Sequence, residues 1–419
     1  MPITPRHSVV RIGVVAVAAI VVAEGAVWLT RPDAPTIAPA SVPERSYFSA
    51  TELERASDFR GPQRLVALGA LVVEGGVLIA LALWRPAPVR RVLRVASRRP
   101  ILGGAAIGAG ISLALAVTAL PLAILANERA IDFGLSTQSF GPWLADRARG
   151  VAIGAALAAA GGAVAVVLLR RLGSRFWIGG SLLVVGAAAM FTWLAPVVLA
   201  PVFNKFEALP AGWVRSDVLE LARRAGVEIG DVYRVDASRR STAINAYVDG
   251  LGSTRRVVLY DNTIRELSPA ELRSVVAHEL AHVKGNDVPR GLLFVALIAP
   301  LGVLFAQLSA EALTRRSGDD FRSPAALPAL ALSLALAAFA LAIPGNRLSR
   351  AVESRADTFA LELTRDPRAF IDLQRRLAVS NLADPTPPEA LQAVFGTHPT
   401  TMDRIGTAEA YERSIRWGR

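Results

Sequence analysis

The stretch "VVAHELAHVKGNDVPRGLLFVALIAPLGVLF", Val275–Phe305, joins two unlike patterns. Its first half carries two histidines four residues apart, with an acid beside the first; its second belongs to an apolar run, Gly291–Ser309, long enough to cross a bilayer. Any account of the chain has to explain why metal-binding chemistry stands at the mouth of a membrane span.

Composition supports the membrane half of that pattern. Of 419 residues, 53% are hydrophobic and 19% charged, against a charged share of about 25% in soluble domains. The class implied is a polytopic membrane protein. There is no cysteine, which excludes disulfides and thiolate metal sites and leaves histidine and carboxylate as the donors for any metal. The net charge of +11 comes almost wholly from arginine, the only lysines being Lys205 and Lys284. Those arginines fall in short loops between apolar runs, where the positive-inside rule expects them, so no nucleic-acid partner is expected. The preference for Arg over Lys suggests a GC-rich, bacterial genome.

Seven apolar runs have spanning length: Val9–Leu29, Leu65–Trp84, Ile101–Ala126, Val151–Leu169, Phe176–Val198, Gly291–Ser309 and Ala325–Ile343. Arg6 and Arg11 give the first the flank of a signal peptide, but Glu24, Trp28 and the lack of a small-residue cleavage site suit a retained helix. The expected organisation is a membrane region over 1–203, a polar region over 204–290 that carries the two histidines, two further spans within 291–348 and a C-terminal polar region over 349–419. The span count puts both polar regions on one face. Loops on the other face hold Arg85, Arg90, Arg91, Arg94, Arg98, Arg99, Arg170, Arg171, Arg175, Arg315, Arg316 and Arg322 against Glu311, Asp319 and Asp320. By the positive-inside rule the polar regions then lie outside the cytoplasm. Glu24 and Glu74 fall inside spans, where a charge must find a cavity or a partner.

Within the first polar region a helix is expected near Val214–Ala225, then a strand in "VYRVDAS", then two strands in "TAINAYVDGLGSTRRVVLYDN" joined around Gly250, Leu251 and Gly252. Ser268-Pro269-Ala270-Glu271 is a capping box with proline at the first helical position, so a helix starts there and carries "AHELAH". On it His278 and His282 share one face and can bind one Zn²⁺, while Glu279 can take a proton from water activated by the metal. Leu280 and Ala281 suit a buried helix. A catalytic zinc needs a third protein ligand. "SRAVESRADTFALEL" offers Glu353, with Asp357 four residues on. His282 precedes Gly291 by nine residues and Glu353 follows Ile343 by ten, so two antiparallel helices rising 1.5 Å per residue bring both to roughly 14 Å above the membrane boundary. His398, in "FGTHPTTMDRI", stands near Arg404; an imidazole and a guanidinium are groups suited to stabilising a tetrahedral oxyanion.

Taken together, "YFSATELERASDFR", "FGLSTQSFGPWLAD", "APVFNKF", "NAYVDG", "VVLYDN", "AHELAH", "ESRAD", "SNL" and "HPTTMDR" resemble the integral-membrane zinc metallopeptidases related to the type I CAAX prenyl protease, over most of the chain, as a bacterial homologue. The resemblance implies a mainly α fold, seven transmembrane helices around a chamber, and a gluzincin-like peptidase region with a small hairpin or sheet. It implies His278, His282 and Glu353 as ligands of one Zn²⁺, Glu279 as general base, Asp357 as a partner orienting a ligand, and His398 with Arg404 as substrate or transition-state contacts. It also has the protease helix running into a span that walls the chamber. Eukaryotic members face the site to the cytosol, opposite to what the loop charges indicate, so the side of the membrane stays open.

The expected activity is endopeptidase cleavage of peptides or membrane proteins. CAAX processing is implied by the family, but a bacterium offers no prenylated substrate of its own. The alternatives from other classes are an idle scaffold or chaperone, against which Glu279 argues, and a transporter or metal sensor, which needs ionisable residues through several spans. Sites of this kind hold extended peptides on an edge strand. Ala243–Asp249, with Asn245, Ala246 and Tyr247, is the candidate; the alternative is an ordinary hairpin strand with Asn245 capping a turn.

Overall fold

The computed structural model describes residues 5–250, 252 and 255–417. Its helices, in chain order, are α1 (Pro5–Thr30), α2 (Ala50–Ile79), α3 (Ala87–Ala96), α4 (Pro100–Asp132), α5 (Phe140–Leu172), α6 (Phe176–Leu194), α7 (Ala200–Phe203), α8 (Trp213–Ala225), α9 (Asp261–Glu266), α10 (Pro269–Lys284), α11 (Asp287–Arg316), α12 (Leu327–Thr364), α13 (Pro367–Ser380), α14 (Glu389–Phe395) and α15 (Thr401–Trp417). Among the described residues, six continuous helical stretches are long and apolar enough to cross a membrane. One of them, Phe140–Phe203, contains both α5 and α6, which meet at the tight turn Gly173–Arg175. Seven membrane helices result. Glycine sets the closest crossing: α4 and α5 approach so nearly that a Cβ on Gly108 would overlap the Ala158 carbonyl, and one on Gly162 the Gly104 carbonyl.

The membrane helices end in a compact head. Four strands, β1 (Phe206–Ala208), β2 (Asp231–Val235), β3 (Ala246–Asp249) and β4 (Arg256–Tyr260), form one sheet in the order β1-β2-β4-β3. β3 and β4 pair antiparallel, as the hairpin pattern predicts, but β4 also pairs parallel with β2. β1 adds an antiparallel edge that the sequence reading did not anticipate. The turn residues Leu251, Ser253 and Thr254 lie outside the described residues. Val232, Val257 and Leu259 of the sheet pack with Val218 of α8, Leu272, Val276 and Leu280 of α10, Leu361 of α12, Phe370 of α13 and Ile405 of α15. The capping box predicted at Ser268 is present, with Ser268 and Glu271 bonding each other's backbone N–H.

Polar contacts seat the head on the membrane helices. Arg60 of α2 donates to the carbonyls of Leu382 and Asn381 at 2.6 and 2.7 Å, and Arg64 pairs with Asp384 at 2.7 Å. Arg240 reaches Asp146 of α5 at 2.8 Å. The segment after α1 crosses the head, where Ala40 N–H donates to Gly406 O at 3.0 Å and Ile37 N–H to Thr358 Oγ1 at 3.1 Å. Glu24, inside the first span, meets Arg347 of α12 at 2.5 Å.

The protease helix does not run on into a span, contrary to the sequence reading. α10 stops at Lys284; Gly285 follows, Asn286 turns left-handed with φ 53°, and α11 starts afresh at Asp287. Asparagine is among the few residues that tolerate this conformation. α12, in contrast, is unbroken over 38 residues and carries one span directly into the head.

Candidate active site

α10 brings two imidazoles to one face, and α12 brings a carboxylate across to them. His278 Nε2 lies 3.2 Å from His282 Nε2 and 3.1 Å from Glu353 Oε2, while His282 Nε2 lies 3.7 Å from Glu353 Oε1. Donors around a tetrahedral zinc with bonds of about 2.0–2.2 Å stand about 3.3–3.6 Å apart, so the two ring nitrogens and the Glu353 carboxylate are spaced for one such ion.

The outer nitrogens define the electrostatics. His278 Nδ1 sits 2.9 Å from Asp357 Oδ1, and His282 Nδ1 sits 2.9 Å from Asp287 Oδ2. With the ring proton on Nδ1 toward each carboxylate, the tautomer a metal ligand needs, both Nε2 lone pairs face one another and Glu353. Three acceptors converging there, two of them buried on His278 and Glu353, require a positive charge: a second proton on a ring, or a metal ion. That demand is visible in His278, where burial favours the neutral ring but is overcome by hydrogen bonds to Asp357 and Glu353, pushing it up to about 10. Glu279 brings its carboxylate within 4.8 Å of the histidine donors. Burial raises its pKa, against the opposing pull of His278 and His282.

The C-terminal segment closes the site from the far side. His398, exposed on its outer face, places Nδ1 2.9 Å from Glu353 Oε2. Arg404 takes a different position from that expected on the sequence. Its guanidinium is bidentate on Asp357, at 2.6 and 2.9 Å, behind His278 rather than on the open side. The buried Asp357 thus holds a histidine with one oxygen while Arg404 neutralises it.

Asp287 is a site residue that the sequence reading missed. On a helix running straight through, it would lie about 140° round from His282. The break at Gly285 and Asn286 turns it back onto the ring. Arg355, at 2.5 Å from the same Asp287 oxygen and donating to Ala281 O at 3.0 Å, ties α12 to α10 at this point. The usable signal was the Gly-Asn pair, which often ends a helix.

β3 is one of the two edge strands of the sheet, the other being β1. Tyr260 N–H donates to Asn245 O, so by antiparallel alternation Tyr247 and Asp249 bond to β4 while Ala246 and Val248 point their backbone groups outward. Ala246 N–H is already taken by Asn245 Oδ1 at 2.9 Å, which leaves Val248 N–H as the outward donor of this edge with no partner among the described residues. Asn245 is exposed, and its backbone is tied to Thr263.

Residues 208–412 match peptidase family M48, and residues 66–205 match the CAAX prenyl protease N-terminal region of five membrane helices. The metalloprotease YhfN of Bacillus subtilis, described as uncharacterized, is 30% identical over 309 residues, 73% of this chain and 72% of that protein. The chain belongs to peptidase family M48. It is a multi-pass integral membrane metallopeptidase. CAAX prenyl protease 1 of Saccharomyces cerevisiae is 27% identical over 51% of each chain, so the alignment spans about half of that relative. The fold matches the crystal structure of S. mikatae Ste24p with a TM-score of 0.78 at 17% identity, covering 97% of this chain and 100% of that one.

Proposed function

We propose that this M48 peptidase holds one Zn²⁺ through His278, His282 and Glu353 and hydrolyses peptide bonds in peptides or membrane proteins. The observation that carries the reading is the convergence of the three donors at 3.1–3.7 Å beside a Glu279 that is not among their hydrogen-bond partners. A two-histidine, one-glutamate set is a donor combination of catalytic zinc, which supplies Lewis acidity to water and to the scissile carbonyl. Glu279 takes the proton of the attacking water and returns it to the leaving amine. Its raised pKa suits that exchange, because a base poised nearer neutrality can also act as the acid. His398, exposed at the rim, donates to the developing oxyanion. Arg404 and Asp357 fix the His278 ring, and Asp287 with Arg355 fixes His282.

The substrate backbone lies along β3. Val248 N–H and the Ala246 and Val248 carbonyls offer main-chain hydrogen bonds that demand little of the substrate's sequence, and Asn245 can add its side-chain amide. The names of the CAAX prenyl proteases are all that suggests a prenylated substrate here, and the arginine-rich composition points to a bacterial one without it.

The test is cleavage of a casein-like peptide and of a membrane protein by the purified chain, with a chelator and with zinc restored. Loss on chelation and recovery with zinc is expected. Cleavage untouched by chelation overturns the metal reading, and a zinc-loaded chain that cleaves neither substrate favours a scaffold.

A further inference from the structure

Far from the metal donors, three inter-helix loops that are distant in sequence meet around one cavity. It has a volume of 870 Å³ and is walled by Arg85, Arg90 and Arg94 after α2, Arg170 at the end of α5, and Asp319 and Asp320 before α12. α12 starts at Leu327 and reaches Glu353 roughly 39 Å further along its axis, so this cavity is not part of the peptidase site.

The cavity is built, and its cations are uneven. Arg85 is buried and left-handed, φ 46°, a costly conformation for a side chain with a Cβ. It is held by ion pairing to Asp319 and by donation to Ala82 O at 3.0 Å and Ala325 O at 3.2 Å. Arg85 thus clamps the end of α2 to the loop that opens α12, and Asp319 is used up in doing so. Asp320 accepts from the backbone of Arg322. Arg90, Arg94 and Arg170 form no ion pair among the described residues, and all three are exposed at the cavity.

α3 states what kind of anion would fit. Val89 and Leu93 pack onto the membrane core, and Arg90 and Arg94, four residues apart, share the cavity face. Val92 and Val95 are exposed, as are Leu83 and Trp84 at the cavity rim. An exposed tryptophan beside a basic amphipathic helix is the signature of the membrane interface. A soluble phosphate would use the cations and leave those apolar groups in water, whereas a phospholipid uses both.

We propose that this cavity binds an anionic phospholipid, with the phosphodiester against Arg90, Arg94 and Arg170 and the acyl chains leaving past Trp84 and Val92. The test is native mass spectrometry of the purified full chain, delipidated and then offered phosphatidylglycerol and phosphatidylcholine. Wild type should retain phosphatidylglycerol over phosphatidylcholine by about tenfold or more, within what three basic residues near an anionic surface can contribute. The variant Arg90→Gln, Arg94→Gln, Arg170→Gln should lose that preference, while Arg223→Gln, Arg239→Gln, Arg413→Gln on the head should keep it. Equal retention of the two lipids by wild type, or a folded cavity variant that still prefers phosphatidylglycerol, overturns the proposal. Displacement of the lipid by inorganic phosphate at matched ionic strength also overturns it, in favour of a free-anion site. If the cavity variant fails to fold, the wild-type preference and the phosphate competition still decide.

Discussion

Leu259, Leu272, Leu280, Leu361 and Phe370 of the head are almost wholly enclosed by one another, whereas in α4 only 6% of the most apolar 18-residue window is buried. The head is a protein core in the ordinary sense, held by apolar burial within the chain. The membrane helices are thin walls whose apolar side chains, such as Val72, Val117 and Leu182, are left exposed by the rest of the chain. α12 belongs to both regions, with half of its apolar window buried. It is the element that carries Glu353, Arg355 and Asp357 into the head. Chemistry has therefore been placed where the protein itself controls the packing, and the wall's share is to deliver α12 at the right height.

If the head alone holds the chemistry, its polar residues should separate by role under substitution. The largest effect is expected at Glu279, which is not a ligand in this account. Glu279→Gln should lower peptide hydrolysis by more than the roughly 10²–10⁴ typical of an acid–base group alone, with metal content kept; assay of the purified variant beside wild type checks it. Retained turnover would remove Glu279 as the base.

Next come the carboxylates behind the histidines. Asp357→Asn and Asp287→Asn should each weaken metal affinity by about 10–100-fold, measured by competition with a chromogenic chelator. Each substitution also takes the counter-charge from an arginine, Arg404 for Asp357→Asn and Arg355 for Asp287→Asn, and removing one member of a buried pair costs about 3–5 kcal/mol. Both should therefore lower the melting temperature as well as metal affinity.

A smaller effect is expected at the sheet edge. Val248→Pro removes the open backbone donor of β3 and should raise KM while metal content persists; an unchanged KM would move the substrate elsewhere. Ala246 is the less informative position, because Asn245 already occupies its N–H.

The smallest concerns the helix start. Glu271 is buried, which raises its pKa, but Arg376 at 2.7 Å and the Ser268 N–H more than offset this and hold it below the ordinary value. A depressed folded pKa contributes stability that is present above the unfolded value of about 4.3 and is lost as pH falls through the folded one. Glu271→Gln should therefore lose about 1 kcal/mol near neutrality and show a flatter melting temperature as pH falls from about 5 to about 3, by about a degree or two.

Much of this division was legible in the sequence because each region follows a simple period. Unbroken apolar runs marked the seven membrane helices, and the Ser268–Glu271 box marked the start of α10. The sites that escaped depend on how elements meet. Asp287 is close in sequence to His282 but reaches it only through a left-handed Asn286. Arg404 was read with His398, its neighbour along the chain, whereas α15 presents it to Asp357 on α12. The parallel β2–β4 pairing joins strands separated by β3, and a hairpin pattern carries no information about it. Counting residues from the span ends pointed to Glu353, which does stand beside the histidines, although only α12 rises unbroken while α10 is broken from α11 at Gly285 and Asn286.

The central claim, that His278, His282 and Glu353 are the metal donors, is tested most directly by metal content in purified protein of wild type, Glu353→Ala and Asp357→Ala. The account expects about one zinc per chain in wild type, a large loss in Glu353→Ala and a smaller one in Asp357→Ala. Full zinc in Glu353→Ala, with loss in Asp357→Ala, would contradict it and make Asp357 the third donor.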